Sequence, residues 1–306
     1  MRRLPIPPCR GVVLLGALLL AGTALAACGS PGSASSASTS PPTTLPTSPQ
    51  ALAAVAQATA RTTALTADFA MTFQRSSAST ASQLPLDAHG AVDFTGPSST
   101  IRIDLPKASG GTERMVFLPG TVFFRPPPSS PPLQPGRPWI FANFADIAKY
   151  KVNFPPYIVQ TESINPAFTV SEVAWGATAA APAGTATLDG STDRVYVVTV
   201  DLQKALAGAT GANGAVFALT LASEIAASGS TSPTVTARVW VDGQGRLVGV
   251  RTVPVGAGIG TLTLALDRFG APVQAAKPAR ATVVDLAAII PGGEQEALNG
   301  GDTDGA

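Results

Sequence analysis

Apolar and polar residues alternate through many short segments of this chain. In 100–105, for example, charged residues separate Ile101, Ile103 and Leu105. Successive side chains of a β-strand point to opposite faces, so this alternation predicts strands with one apolar and one polar face, as in antiparallel sheets. The strand-like segments are 67–74, 90–95, 100–105, 113–118, 121–125, 185–188, 194–200, 235–241, 247–253 and 260–269.

Several segments between these strands carry helix signals. Ser48-Pro49 and Asn165-Pro166 each match a capping side chain followed by proline in the first helical turn, and Asp201 is a further capping candidate. The predicted helices are 49–63, one that begins at 166, 202–207 and 215–227, with shorter ones at 141–150 and 285–290. The segment 126–138 contains seven prolines and is predicted to be an irregular loop.

Strands on both sides of a helical middle favour an α+β fold. We expect one curved antiparallel β-sheet, a half-barrel, that packs on helices. Residues 50–291 are assigned to this single domain, and the polar residues 292–306 to a flexible tail. A division into two domains at the proline-rich loop is the alternative, although neither half alone carries an obvious complete core.

The N-terminus has the pattern of a bacterial lipoprotein signal. Three arginines precede the uncharged and mostly apolar run 11–25, and a Leu-Ala-Ala-Cys lipobox ends at Cys28. We therefore predict that residues 1–27 are a cleaved signal peptide and that Cys28 carries an S-diacylglycerol group and an N-acyl chain. An ordinary signal peptide is one alternative. A single transmembrane helix is another, for which the apolar stretch is borderline in length.

Residues 28–49 are predicted to be a disordered tether behind the lipidated cysteine. They consist of Gly, Ser, Ala, Thr and Pro with a single leucine after Cys28, a composition that cannot bury enough apolar surface to order itself. Such a coil spans on the order of 25 Å. Two or three acyl chains give firm anchoring, so we expect a protein held at the extracytoplasmic face of the cell membrane.

The inventory of reactive residues argues against catalysis. A formal net charge of +1 does not supply the basic surface that nucleic-acid binding needs. The chain has one histidine and two cysteines, and it lacks the common nucleophile, metal and phosphate-loop motifs. We therefore predict no enzymatic activity, no cofactor, no metal site and no nucleic-acid partner.

His89 is the remaining candidate for chemistry. Oriented by Asp87, it could act as the general base of an envelope hydrolase. No nucleophile motif accompanies it, so an exposed turn histidine is the simpler interpretation.

The apolar faces of the predicted strands supply candidates for a ligand pocket. A curved sheet whose concave face is loosely covered can enclose an apolar cavity, although the same residues would also fill an ordinary core. The candidates are Phe69, Met71, Phe73, Val92, Phe94, Ile101, Ile103, Leu105, Leu262, Leu264 and Leu266.

The order of several motifs resembles that of a known family. Behind the lipobox and the tether come GTVFFR, PGRPWI, GTATLDGSTDRVYVVTVD, ARVWVDGQGRLVGVR and LDRFGAPVQAAKPARATVVDL. Over 50–290 this order is similar to that of the actinobacterial lipoproteins related to LppX, LprG and LprA, which resemble the LolA and LolB carriers. The chain departs from that pattern in its longer proline loop and its polar tail.

This resemblance implies a half-barrel that encloses an apolar pocket, in which some members bind or carry lipids or lipoglycans. We accordingly expect an envelope lipoprotein that binds the membrane through acylated Cys28 and takes a lipid or lipoglycan ligand. A structural or regulatory surface lipoprotein that binds a protein partner is the alternative.

Overall fold

Twelve strands in the described part of the chain join in one sheet. They are β1 Thr66–Gln74, β2 Leu86–Asp93, β3 Ser98–Asp104, β4 Thr112–Leu118, β5 Thr121–Arg125, β6 Trp139–Asn143, β7 Ala177–Leu188, β8 Ser191–Asp201, β9 Thr234–Val241, β10 Leu247–Val253, β11 Thr261–Asp267 and β12 Val283–Asp285. Their spatial order is β12-β6-β5-β4-β3-β2-β1-β11-β10-β9-β8-β7. The pairing of β6 with β12 is parallel, and the other pairings are antiparallel.

A computed structural model gives these elements. It describes residues 47–74, 86–96, 98–104, 111–130, 132–143, 165–210, 214–253 and 261–289. The predicted signal peptide, Cys28, most of the tether and the predicted tail lie outside the described residues. All described residues belong to one compact unit.

The helices in the described residues begin largely where the sequence predicts. They are α1 Pro49–Thr62, α2 Pro166–Gly176, α3 Leu202–Gly208 and α4 Gly214–Ser228. The side chains of Ser48, Asn165 and Asp201 each accept a backbone N–H of the first turn at 3.0 Å. Such a cap satisfies one donor that the helix itself cannot, so these three starts are set by local sequence.

The predicted helix 141–150 is wrong where the structure describes it. Residues Trp139–Asn143 form β6, which pairs with β5, and residues 144–150 lie outside the described part. The Phe141 ring packs on Phe123 of the neighbouring strand, with ring centroids 5.2 Å apart. Aromatic and β-branched residues fit a pleated surface well, and this cross-strand contact favours the extended form.

Other boundaries also differ from the prediction. The strand expected at 185–188 is the end of β7, which starts at Ala177. The strand expected at 90–95 is β2, which starts earlier and ends at Asp93, because the Asp93 carboxylate accepts the N–H of Thr95 at 2.9 Å and forms a turn. In the segment 285–290, a single turn of 3-10 helix covers Ala287–Ile289 directly behind β12. The described residues of the proline-rich segment form no strand of the sheet, as predicted.

The sheet has an inner face that is buried, and its outer face combines exposed polar residues with some buried apolar ones such as Phe123, Val195 and Trp240. On β3, Ser99, Ile101 and Ile103 are buried, and the residues between them are more exposed. One contiguous apolar cluster includes inner-face residues from both ends of the sheet and side chains from all four helices. The prediction of an α+β fold with a curved antiparallel sheet packed on helices is confirmed.

The helices approach the sheet most closely at one end. Helix α1 lies against β7 to β10, α2 lies against β7 and β8, and α3 lies against β8. Hydrogen bonds join α1 to the sheet at both of its ends. The Ser48 N–H donates to the Ala180 carbonyl at 2.9 Å, and the Thr62 hydroxyl donates to the Leu247 carbonyl at 3.0 Å and accepts the Leu247 N–H at 2.9 Å.

Candidate apolar ligand site on the inner face

The sheet brings the predicted pocket residues together on four adjacent strands. In the pairing of β1 with β11, Phe69 is opposite Leu266 and Met71 is opposite Leu264. Val92 lies on β2, which separates β1 from β3. Strand pairing thus assembles a continuous apolar surface from segments that are far apart in sequence.

Most of these predicted residues are buried. Those at or below 5% exposure are Phe69, Met71, Val92, Ile101, Ile103, Leu262, Leu264 and Leu266. Phe94 is partly buried against the same cluster, from the turn that follows β2. The backbone of Phe73 lies opposite Leu262, its side chain is not described, and Leu105 lies outside the described residues.

The inner face extends beyond the predicted residues onto β4 and β5. Met115, Phe117 and Phe124 are buried in the same cluster, and Phe117 is opposite Val122 across the β4–β5 pair. Sequence reasoning did not select them because both strands carry uninterrupted apolar runs, in which the period of two is hidden.

Side-chain size differs along the inner face. Beneath the helices, β8 and β9 present Val198, Val200, Ala237 and Val239, all completely buried. The strands β1 to β5 contribute the longer side chains of Phe69, Met71, Met115, Phe117 and Phe124, among smaller ones such as Ala88 and Val92. Small and β-branched residues let a helix approach closely, whereas long side chains hold a covering layer further away.

Two polar groups interrupt the inner face of β3 and β4. The Ser99 side chain is 1% exposed, and its hydroxyl has no hydrogen-bond partner in the described part of the protein. Glu113 is opposite Ile103 and is partly buried, which raises the pKa of its carboxyl group. A buried hydroxyl without a partner carries a desolvation penalty that a ligand's carbonyl or hydroxyl group would relieve.

A groove of about 590 Å³ lies on the opposite, outer side of the sheet. The small side chains Ala70, Ala91 and Ala265 line it together with Asp68 and Arg268, which form an ion pair. Its charged lining does not suit an acyl chain, so this groove is distinct from the apolar surface that the sequence predicts.

His89 occupies an exposed position on β2 rather than the turn that was expected. Its Nδ1 atom lies 3.7 Å from Oδ2 of Asp104, and about half of each side chain is exposed. The hydrogen bond that Arg102 donates to Asp104, at 3.1 Å, is the main cause that lowers the pKa of that carboxyl. The carboxylate of Asp104 near His89 is therefore already engaged by an arginine. This arrangement differs from that of a catalytic histidine whose position a carboxylate fixes.

The described residues contain no cluster of three or more potential metal ligands. Among the described helices, none is long and apolar enough to cross a bilayer.

Comparison with known proteins finds similar structures. LprF from Mycobacterium bovis matches at 14% identity, over 76% of this chain and 99% of that chain, with a TM-score of 0.44. The lipoprotein LppX from Mycobacterium tuberculosis matches at 16%, over 74% and 99%, with a TM-score of 0.45. A LolA superfamily protein from Nitrosomonas europaea matches at 9%, over 75% and 95%, with a TM-score of 0.28.

No protein-family model and no curated protein sequence matches the chain.

Proposed function

We propose that this protein is an envelope lipoprotein that binds a lipid or lipoglycan against the inner face of β1 to β5. The observation that carries the proposal is the contrast along that face. Its apolar surface continues well beyond the strands that the helices approach most closely, and there it includes five long or aromatic side chains of Phe and Met. Acyl chains need apolar walls with few hydrogen-bonding groups, which these side chains provide.

The composition of the surface also limits the class of ligand. Met71 and Met115 add adaptable side chains beside Phe69 and Phe117. The unpartnered Ser99 hydroxyl is suited to one ester or hydroxyl group of the ligand. A ligand with acyl chains and a few neutral polar groups therefore fits better than a charged metabolite.

Native mass spectrometry tests this proposal on the secreted, unlipidated chain from Gly29 to Ala306. We expect co-purified lipid, and we expect Met115→Trp to reduce it by filling the space along the wall. Phe123→Trp is the matched control, because Phe123 lies on the adjacent strand but on the outer face, against Phe141. Absence of lipid from the parent chain, or equal loss in both variants, would contradict the proposal.

We further propose that Cys28 anchors the protein to the extracytoplasmic face of the membrane. The lipobox and the uncharged tether support this. Replacing Cys28 with serine should leave the precursor uncleaved by the lipoprotein signal peptidase, which an immunoblot of membrane fractions measures. A variant that is processed and retained in the membrane like the parent would refute the assignment.

A further inference from the structure

Three arginines lie side by side on the outer face of β3, β4 and β5. Strand pairing places Arg102 opposite Arg114, and Arg114 opposite Arg125. His89 of β2 is opposite Arg102 and continues the same line across the sheet. All four side chains are exposed. Since neighbouring strands are about 4.8 Å apart, the four positions span about 14 Å. We call the three arginines the arginine row.

Such a row of like charges is unfavourable within the protein alone. Directly opposite side chains on one sheet face have Cβ atoms about 5 Å apart, and equal charges at such positions destabilise the pair. Arg102 is compensated, because it donates to Asp104 at 3.1 Å and to Thr112 at 3.4 Å. Arg114 and Arg125 form no hydrogen bond and no ion pair within the described residues. An external anion would therefore relieve their repulsion.

The carboxylates of this region do not neutralise the β4–β5 end of the arginine row. Asp87 on β2 is opposite Asp104, so both lie at the other end of the row. Glu113 precedes Arg114, and its side chain lies on the other face of β4 because successive side chains alternate. Asp285 lies on β12, two strands beyond β5, and accepts a backbone N–H at 2.9 Å. The surface of β4 and β5 therefore stays positively charged.

Apolar and aromatic side chains border the arginine row on the same face. Val116, Phe123 and Phe141 are opposite one another across β4, β5 and β6. Phe141 is only partly buried, and so is Trp139, which lies two residues earlier on the same face of β6. Basic side chains next to partly exposed aromatic ones are typical of surfaces at a membrane–water interface, where the rings lie at the level of the headgroups.

We propose that the arginine row, together with Trp139 and Phe141, binds the anionic headgroups of a lipid bilayer. Guanidinium groups donate paired hydrogen bonds to phosphate oxygens, and a layer of headgroups offers one anion to each arginine of the row. The tether predicted behind Cys28 would keep this partner at a high local concentration. The choice of a bilayer rests on the anchoring proposed above, whereas the anionic chemistry of the partner does not.

A contact of this kind would orient the domain on the membrane. A flexible tether limits the distance from the bilayer but leaves the domain free to rotate. The strands that carry the arginine row on their outer face belong to the same part of the sheet, β1 to β5, as the proposed ligand surface on the inner face. Attachment through the outer face would hold this part of the sheet at the headgroups.

Vesicle flotation tests the proposal on the unlipidated chain from Gly29 to Ala306, so that binding does not depend on Cys28. We expect binding to vesicles of phosphatidylglycerol and phosphatidylcholine in equal amounts, and much weaker binding to phosphatidylcholine alone. Raising the salt concentration from about 0.1 M to about 0.5 M should weaken binding, because salt screens the charges. Equal binding to both kinds of vesicle would overturn the proposal.

Absence of binding to the mixed vesicles at low salt would also overturn it, and would favour an acidic protein as the partner of the arginine row. Neither result bears on the ligand or on the anchor, because co-purified lipid and processing of the Cys28 precursor test those separately.

Two double variants that remove equal charge locate the contact. Arg114→Thr combined with Arg125→Thr should weaken binding to the mixed vesicles on the order of 30-fold, since each arginine at an anionic surface contributes roughly fivefold. Arg238→Thr combined with Arg251→Thr is the matched control, which should bind nearly as well as the parent. These two arginines are also exposed, opposite each other and on the outer face, but on β9 and β10. Equal weakening in both variants would show that net charge alone governs binding and would refute the assigned surface.

Loss of folding should not contribute to the effect of the first variant. Arg114 and Arg125 are exposed, and threonine is well suited to a strand. Because the change removes two like charges that face each other, the thermal unfolding temperature should stay the same or rise slightly, as measured by circular dichroism. Parent-like vesicle binding in this folded variant would overturn the proposal.

Tryptophan fluorescence gives a second readout of the same contact. The emission of Trp139 should shift to shorter wavelength when the mixed vesicles are added, and Trp139→Phe should remove this shift. Trp175→Phe is the control, because Trp175 lies on α2, where its ring packs on Phe217. A shift that persists in Trp139→Phe and disappears in Trp175→Phe would place the membrane contact on the helices and refute the proposal.

Discussion

The two ends of the inner face are built differently. At β7 to β10 a helix lies close to small, buried side chains such as Val198 and Ala237, and its ends are hydrogen-bonded to the sheet. At β1 to β5 several side chains are long, as at Met71 and Met115, and the closest helix approaches are elsewhere. Both ends are equally buried, so burial alone does not distinguish a packed helix–sheet layer from a surface that can receive a ligand.

The difference teaches how one sheet can combine a rigid part with an adaptable part. Close packing of small residues fixes the position of α1, because any added volume there must displace the helix. Long side chains have more rotamers and can rearrange around an occupant. The following predictions test this division, from the largest expected effect to the smallest.

Truncating a core residue should destabilise the helix-covered end most. Leu247, on β10, is completely buried, so Leu247→Ala should lower the free energy of unfolding by about 2–5 kcal/mol. Met115→Ala should lower it by less than half as much, because the proposed pocket wall would already border space. Urea unfolding measures both values. Equal losses in the two variants would show that β1 to β5 form an ordinary core.

How much of the fold can be predicted from the sequence depends on how far apart in the chain the determining residues lie. The start of α1 follows from Ser48 and Pro49, because a cap and a proline act within one turn. The period of two predicts the inner-facing residues of β3, such as Ile101, because one side of that strand is polar. These local and periodic signals need no knowledge of the tertiary structure.

Other features depend on tertiary contacts and were missed for that reason. The strand β6 was predicted as a helix because its five residues are too few to establish a period, and its pairing with Phe123 becomes visible only in the sheet. The ring contact of Phe168 with Phe217 joins two helices that are separated by β7, β8 and α3 in the chain. No local pattern brings such residues together, so a sequence alone does not reveal the pair.

Removing the hydroxyl of Thr62 should loosen α1 from the sheet. Thr62→Val leaves the buried N–H and carbonyl of Leu247 without this partner, which should cost about 1–3 kcal/mol in chemical denaturation. Thr59→Val is the matched control one turn earlier, because the Thr59 hydroxyl bonds only to carbonyls of its own helix. We expect the control to cost less than Thr62→Val, and the reverse order would contradict the tie between α1 and β10.

Larger side chains should be tolerated differently at the two ends of the inner face. Val198→Phe overfills the layer beneath the helices and should lower stability by about 1–3 kcal/mol. Ile103→Phe, on β3, should cost less than about 1 kcal/mol, because the side chain would extend into the proposed ligand space. Thermal unfolding monitored by circular dichroism compares them. A larger loss for Ile103→Phe would mean that the wall at β3 is tightly packed.

Substitutions on the outer face should change the free energy of unfolding least. The ion pairs around His89 are about half exposed, and pairs of this kind contribute little to stability, so His89→Ala should change the free energy of unfolding by less than about 0.5 kcal/mol. Asp104 keeps its hydrogen bond from Arg102, the main cause of its lowered pKa, so its titration should move only slightly. The same variant should retain as much lipid as the parent in native mass spectrometry.

If the protein were instead an envelope hydrolase that uses His89 as a base, the folded variant would lose turnover while its stability remained unchanged. Because folding is expected to be unaffected in either case, this substitution compares the binding and catalytic hypotheses without the ambiguity that accompanies changes to the inner face.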